Sequence, residues 1–149
     1  MNIADLLKPE AIRISIRSRK KKDAIDEMAQ VLAALPAVED EKALRKALAA
    51  REKMGGTAVG SGVAIPHGKC DHVTEVCAAI GIAPEGIDWD APDAEPVRIL
   101  VALAGPPGQP AEHLRLLSQV ARLLGQKEIR ENLLFSLIAL EHWSIDLKQ

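Results

Sequence analysis

The stretch Arg51-Glu-Lys-Met-Gly-Gly-Thr-Ala-Val-Gly-Ser-Gly-Val-Ala-Ile-Pro-His67 holds the residues of this chain best suited to do chemistry. A histidine follows a proline at the end of a glycine-rich run, and an arginine stands sixteen residues upstream. An imidazole is partly neutral near pH 7, so one ring nitrogen has a lone pair that can attack phosphorus. The planar fork of a guanidinium suits phosphoryl oxygens better than an ammonium does. Glycines allow backbone amides to approach an anion closely. Nucleophile, anion clamp and backbone cradle in one short segment read as a site that holds a phosphoryl group on a histidine.

Three other chemistries compete for the same residues. Gly60-Ser-Gly62 opens like a dinucleotide fingerprint, but the third glycine position holds Ile65 and no helix start follows. Gly62 to Gly68-Lys69 resembles a phosphate-binding loop. It has five intervening residues rather than four, and Cys70 stands where Ser or Thr would hold magnesium. His67, Cys70, His72 and Cys77 are all zinc-ligand types within eleven residues. Their spacing matches no standard finger, and Cys77 lies in an apolar strand pattern where a small buried thiol is the simpler reading. A zinc-dependent protein using His67, Cys70 and His72 is the remote alternative. His72 otherwise reads as a solvated loop histidine, with Cys70 its partly exposed neighbour.

These residues need a scaffold, and the pattern predicts an α/β one. Ile12-Arg-Ile-Ser-Ile16 alternates as a strand does. From Lys20 to Leu35, Ile25, Met28, Leu32 and Leu35 recur at helical spacing until Pro36. A second helix from about Asp40 to Glu52 delivers Arg51 to the glycine-rich segment. Four glycines between Gly55 and Gly62 exclude a regular helix there, at roughly 1 kcal/mol per glycine. Val63-Ala-Ile65, Val76 to Ile82 and Val97 to Ala104 read as strands. The last is nearly all apolar, which predicts burial on both faces. After the turn-rich Gly105 to Pro110 come a third helix with Leu114, Leu117, Val120, Ala121 and Leu124, and a fourth from Glu128 to about Leu140. Met1 to Leu7 forms a short helical or extended lead-in. The expected architecture is one domain over residues 1–149, a three-layer sandwich with a mixed sheet covered by helices on both faces.

Composition narrows the function classes. One Phe, two Trp and no Tyr leave few stacking platforms for single-stranded nucleic acid. A net charge of −2 gives no footprint for DNA or RNA. No signal-peptide pattern and no apolar run of membrane length is present, so a cytoplasmic protein without direct membrane insertion is expected. Cys70 and Cys77 are expected as free thiols. His113 follows Pro110 and falls in the first turn of the third helix, near the positive end of its dipole.

Arg51-Glu52, Thr57, Gly60, Gly62, Ala64, Pro66 and His67 together resemble the active-site signature of fructose/mannitol-type enzyme IIA domains of the bacterial phosphoenolpyruvate-dependent phosphotransferase system. Glu112-His113-Leu114 with Leu117 resembles a second family element, and the likeness extends over essentially the whole chain. It implies a phosphotransferase that accepts a phosphoryl group on His67 from an HPr-like phosphocarrier protein, without a cofactor. His113 would lie beside His67 and stabilise the group, and Arg51 would clamp its oxygens. Arg51 reads otherwise as a surface residue paired with Glu52 or Glu41. Thr57, Gly60 and Gly62 are candidate phosphoryl-binding residues, Thr57 reading equally well as a turn residue. Val59, Val63 and Met54 are candidates for an apolar rim that meets partners, or for ordinary packing. His142 has no motif support.

Related sugar units are often fused to IIB, membrane IIC or phosphocarrier modules, for which this chain has no room. Its opening, Met1-Asn-Ile-Ala-Asp-Leu-Leu-Lys-Pro-Glu10, resembles the nitrogen-regulatory branch, in which the phosphorylation state controls regulatory target proteins. The alternative is a stand-alone sugar-specific IIA that passes phosphate to a IIB unit.

Overall fold

The computed structural model describes Asp5 and residues 8–135. The expected lead-in at residues 1–7 therefore lies outside the described residues except for Asp5, and His142 lies outside them too. A 3-10 turn at Pro9–Ala11 leads into β1 (Ile12–Arg13). The alternating pattern predicts a strand to Ile16, but only the first two residues form the parallel ladder. Ile16 still donates its N–H to Ile82 O at 2.8 Å.

Helix α1 (Lys21–Leu32) stops three residues short of the predicted Leu35. The residue before a proline is pushed out of the helical region, and the turn ahead of Pro36 unwinds accordingly. Helix α2 (Glu41–Met54) begins where Asp40 accepts from the Ala43 N–H at 3.0 Å, a side-chain cap on an otherwise orphaned donor. Arg51 and Lys53 fall in its last turn, where cations suit the helix dipole. The helix runs two residues past the expected Glu52, to the first glycine.

The sheet has the order β1-β5-β6-β3-β2, where β2 is Ala58–Gly60, β3 Val63–Ala64, β5 Cys77–Ile87 and β6 Val97–Gly105, and β4 (His67–Lys69) also pairs with β6. Strands β2 (Ala58–Gly60) and β3 (Val63–Ala64) form an antiparallel hairpin. Strands β3 and β4 (His67–Lys69) both run parallel to β6 (Val97–Gly105), with Ile65-Pro66 between them. Proline has no N–H for a ladder, so the strand breaks there, while the Pro66 carbonyl still accepts from Leu103 N at 3.0 Å. Strand β5 (Cys77–Ile87) is antiparallel to β6 and ends five residues beyond the predicted Ile82. It carries Pro84-Glu-Gly86 through a register irregularity between Ile82 and Ile87.

Both faces of β6 are buried, as a continuously apolar strand requires. Leu100, Ala102 and Ala104 join a core with Met28 and Leu32 of α1 and Leu44 and Leu48 of α2. Ile99, Val101 and Leu103 join a second core with Leu116, Val120 and Leu124 of α3 (Pro110–Leu124). The period of two along the strand sends alternate side chains to opposite layers. The mixed sheet thus lies between α1 and α2 on one side and α3 on the other. Residues 127–135 form α4, with Ile129, Leu133 and Leu134 packed against the second core. The rest of the predicted fourth helix lies outside the described residues.

Candidate functional site

His67 opens β4, opposite Leu103 of β6. Its Nδ1 lies 2.7 Å from the Ile65 carbonyl oxygen. A carbonyl can only accept, so the assigned tautomer carries its proton on Nδ1 and leaves the lone pair on Nε2. Partial burial pushes the His67 pKa below its usual 6.5. The Ile65 hydrogen bond opposes that, Arg51 adds to it, and Glu52 opposes it, with a net downward shift. The ring is therefore neutral and nucleophilic near pH 7.

His113 enters from the other wall, in the first turn of α3. It is buried, its ring centroid lies 5.8 Å from that of His67, and the two rings are tilted by 54°. Burial, then the neighbouring His67 and Lys69, drives its pKa down to about 4. Its buried Nδ1 has no hydrogen-bond partner. Arg51 arrives from α2 and donates from Nη1 to the Gly55 carbonyl at 2.8 Å. Arg51, His67, Lys69 and His113 line one cleft of about 610 Å³ between α2 and α3, with Met54, Leu114 and Leu117 around them. Within this lining stand two cations and no carboxylate. The spacing of β4 from α2 is tight at Gly68, where an added Cβ would stand 3.2 Å from Ala47 O in α2. Helix and strand backbones thus meet with almost no side chain between them.

Residues 5–136 match the family model described as phosphoenolpyruvate-dependent sugar phosphotransferase system, EIIA 2. The chain belongs to this EIIA type 2 family. A nitrogen regulatory protein of Bradyrhizobium diazoefficiens is 39% identical over 133 residues, covering 89% of this chain and 86% of that protein. The fructose-specific EIIABC component of Bacillus subtilis is 35% identical over 134 residues, covering 90% of this chain but 21% of that much longer protein. The crystal structure of nitrogen regulatory protein IIA-Ntr from Neisseria meningitidis superimposes with a TM-score of 0.82 at 34% identity, covering 89% of this chain and 90% of that one. The chain is thus a phosphotransferase-system component with an established α/β fold.

Not every predicted site residue of this EIIA domain reaches the cleft. Thr57 is buried, and its N–H donates to Glu52 Oε1 at 3.0 Å and Oε2 at 3.2 Å. Its hydroxyl also donates to Glu52 Oε2, so it faces the Glu52 carboxylate. Gly60 and Gly62 do not line the cleft either. Ser61 and Gly62 have φ of 57° and 78°, and they form the two-residue turn between β2 and β3. Positive φ at both central positions is what a twisted tight hairpin demands. The Ser61 N–H donates to Asp93 Oδ2 at 2.8 Å, on the side of the Asp93 loop. The glycine run expected as an anion cradle is therefore a hairpin.

Other expectations also change. Cys70 is buried rather than partly exposed: just past β4, its N–H donates to Gly105 O at 2.9 Å and its side chain joins the first core. Cys77 is buried as expected, and burial, with Glu75 nearby, pushes its thiol up to about 12. Both cysteines are free. His72 is exposed, and among the described residues no three His, Cys, Asp or Glu gather as a metal site. Of the three rim candidates, Met54 lines the cleft and is 84% exposed. Val63 belongs to the core, and Val59 is exposed outside the cleft lining.

Sequence reading missed Lys69, Leu114 and Leu117 as cleft residues. A signal for Lys69 was present, since it stands two residues after His67 on one strand and so shares its face. Leu114 sits on α3 one position past His113 and is 65% exposed, an uncommon place for a leucine without a partner.

Proposed function

We propose that Nε2 of His67 accepts a phosphoryl group from an HPr-like phosphocarrier protein, and that the phosphorylation state then controls partner proteins in a cytoplasmic nitrogen-regulatory phosphotransferase system. The observation that carries the reading is the 2.7 Å contact from His67 Nδ1 to Ile65 O, which leaves Nε2 as the nucleophile. As the bond from phosphorus to the donor breaks, the bond to Nε2 forms, and the proton stays on Nδ1, donated to the Ile65 carbonyl. No proton has to move. Arg51 receives the phosphoryl oxygens through its guanidinium, and Lys69 adds a second cation. His113 contributes an N–H, and its depressed pKa keeps it neutral, a donor without a competing charge. Positioning and charge stabilisation account for the transfer, as phosphoryl chemistry of this kind requires little else.

Donor and acceptor histidines lie on different proteins, so transfer occurs in a transient complex. The exposed side chains of Met54 and Leu114 on the rim supply an apolar contact for it. The regulatory role is supported by the similarity to the Bradyrhizobium nitrogen regulatory protein over most of its length and by the opening residues Met1 to Glu10. A second reading, a sugar-specific IIA that hands the group to a IIB unit, is favoured by the likeness to the Bacillus fructose component. No helix among the described residues is long and apolar enough to cross a membrane.

The test is incubation with phosphoenolpyruvate, enzyme I and a phosphocarrier, followed by NMR of nitrogen-15-labelled histidine. An acid-labile, base-stable phosphoramidate on Nε2 is expected. A product on Nδ1, or no labelling, overturns the proposed chemistry. Mixing the phosphorylated protein with a fructose-type or mannitol-type IIB separates the two roles: rapid onward transfer would make the sugar reading the correct one.

A further inference from the structure

Glu52 follows Arg51 on α2, yet its side chain is buried at 7% exposure and does not line the cleft. Four donors converge on its two oxygens. Two come from Thr57, its N–H and its hydroxyl. The third is Trp89 Nε1 at 3.0 Å, from a fully buried indole, and the fourth is Lys21 Nζ at 3.3 Å from α1. Burial pushes the carboxyl pKa up, but the Thr57 and Lys21 hydrogen bonds outweigh it and hold the acid ionised. This carboxylate joins α1, α2, the segment after α2 and the loop after β5.

The geometry has a consequence for the cleft. The chain leaves α2, turns through Gly55-Gly56 and returns to Glu52 at Thr57. Both ends of the turn are tied, since Gly55 N–H donates to Glu52 O at 3.3 Å and Thr57 binds the Glu52 side chain. The Gly55 carbonyl inside this turn is the acceptor of Arg51 Nη1. We propose that Glu52 is a positioning residue for phosphoryl transfer: it pins the 55–57 turn, and the pinned Gly55 carbonyl holds the Arg51 guanidinium at the cleft. The inference rests on the phosphohistidine reading above. A neutral carbonyl holds a guanidinium less strongly than an anion does, so the arriving phosphoryl group takes Arg51 over. Thr57, predicted as a phosphoryl ligand, acts here through Glu52 instead.

Glu52 also acts on His67 directly, through its charge, and the experiment separates the two routes. The lifetime of the phosphohistidine is measured in the wild type, Glu52→Gln, Arg51→Ala and the double variant. Loss of positioning shortens the lifetime in Glu52→Gln by about threefold, and in an Arg51→Ala background the same substitution adds nothing. A thermal melt and the far-ultraviolet circular dichroism report whether each variant is folded. Should Glu52→Gln not fold, Thr57→Val and Thr57→Ser decide the matter. Valine removes only the hydroxyl donor and shortens the lifetime, and serine restores it. A folded Glu52→Gln with the wild-type lifetime, or an undiminished effect without Arg51, overturns the proposal. A wild type that takes no label on His67 overturns the phosphohistidine reading itself, and the positioning role with it.

Discussion

The two sides of the last turn of α2 are furnished in opposite ways. On one side, Glu52 has a donor for nearly every acceptor position, supplied from Thr57, Trp89 and Lys21. On the other, Arg51 rests on a single backbone carbonyl, and His113 keeps a buried Nδ1 with no partner. Folding completes the first cluster and leaves the second incomplete. Buried polar groups are nearly always paired, and an unpaired one costs about 1–3 kcal/mol. The His113 Nδ1 is closed off beside Gly105, so the donors facing the cleft are those of Arg51, held by one neutral carbonyl. The carboxylate cluster, although more heavily hydrogen-bonded, marks structure.

The largest effect that tests this contrast belongs to His67. His67→Ala removes all labelling by the phosphocarrier while the protein keeps its melting temperature. A variant that still takes up the phosphoryl group moves the acceptor elsewhere and dissolves the contrast.

Acid should separate the two sides by where each fails. His113 is held neutral in the fold, with a pKa of about 4 against 6.5 when free. Between those values the unfolded chain binds a proton that the native state refuses, so stability rises with pH across the window. Lowering the pH from 6.5 to 4 therefore removes about 3 kcal/mol through His113, and His67 shifts in the same direction. Glu52 shifts in the same direction but acts lower on the pH scale. Its depressed pKa gives stability that is present above 4.5 and lost only as pH falls through the lowered value. Denaturant midpoints between pH 7 and 3 should thus decline first through the histidines and later through the carboxylate. A His113→Asn variant removes most of the first decline. A wild-type curve that is flat from pH 6.5 to 4 removes the basis for it.

Arg51→Ala comes next, shortening the phosphohistidine lifetime by about tenfold, the size of a lost charge-assisted hydrogen bond. It should also raise the His67 pKa, since Arg51 pushes it down. An unchanged lifetime, or a histidine NMR titration showing no upward shift, takes Arg51 out of the clamp. The smallest effect is expected at Gly62, whose φ of 78° disfavours any side chain. Gly62→Ala should cost about 1–2 kcal/mol of stability and leave the phosphohistidine lifetime unchanged within twofold. A shortened lifetime would return the glycine hairpin to the site.

The cleft residues differ in how far the sequence exposes them. His67, Arg51 and His113 were legible because each combines a reactive side chain with a local reason for its position: a preceding proline, a helix end, a helix start. The two faces of β6 were legible from its unbroken apolar run. Glycine types alone do not distinguish an anion cradle from a tight hairpin, since both ask for open backbone conformations. What decides is the pairing of Ala58 with Ala64 and Gly60 with Val63, a tertiary fact. Thr57 was ambiguous for a related reason. Its hydroxyl donates to whichever acceptor is near, and Glu52 returns to it only because the chain reverses at Gly55-Gly56. Strand β5 ran past its predicted end because the ladder with β6 resumes at Ile87 beyond Pro84 and Gly86.

The close approach at Gly68 gives the cleft a gauge. Because Ala47 O and the Gly68 backbone meet almost directly, the spacing between the arginine-bearing helix and the histidine-bearing strand is fixed by main chain alone. Side-chain repacking elsewhere in the core cannot easily widen it. A methyl group at position 68 would act as a shim, lifting the whole of α2 and carrying the guanidinium away from the imidazole by a few tenths of an ångström. One missing carbon atom thus lets the arginine-bearing helix and the histidine-bearing strand stand this close.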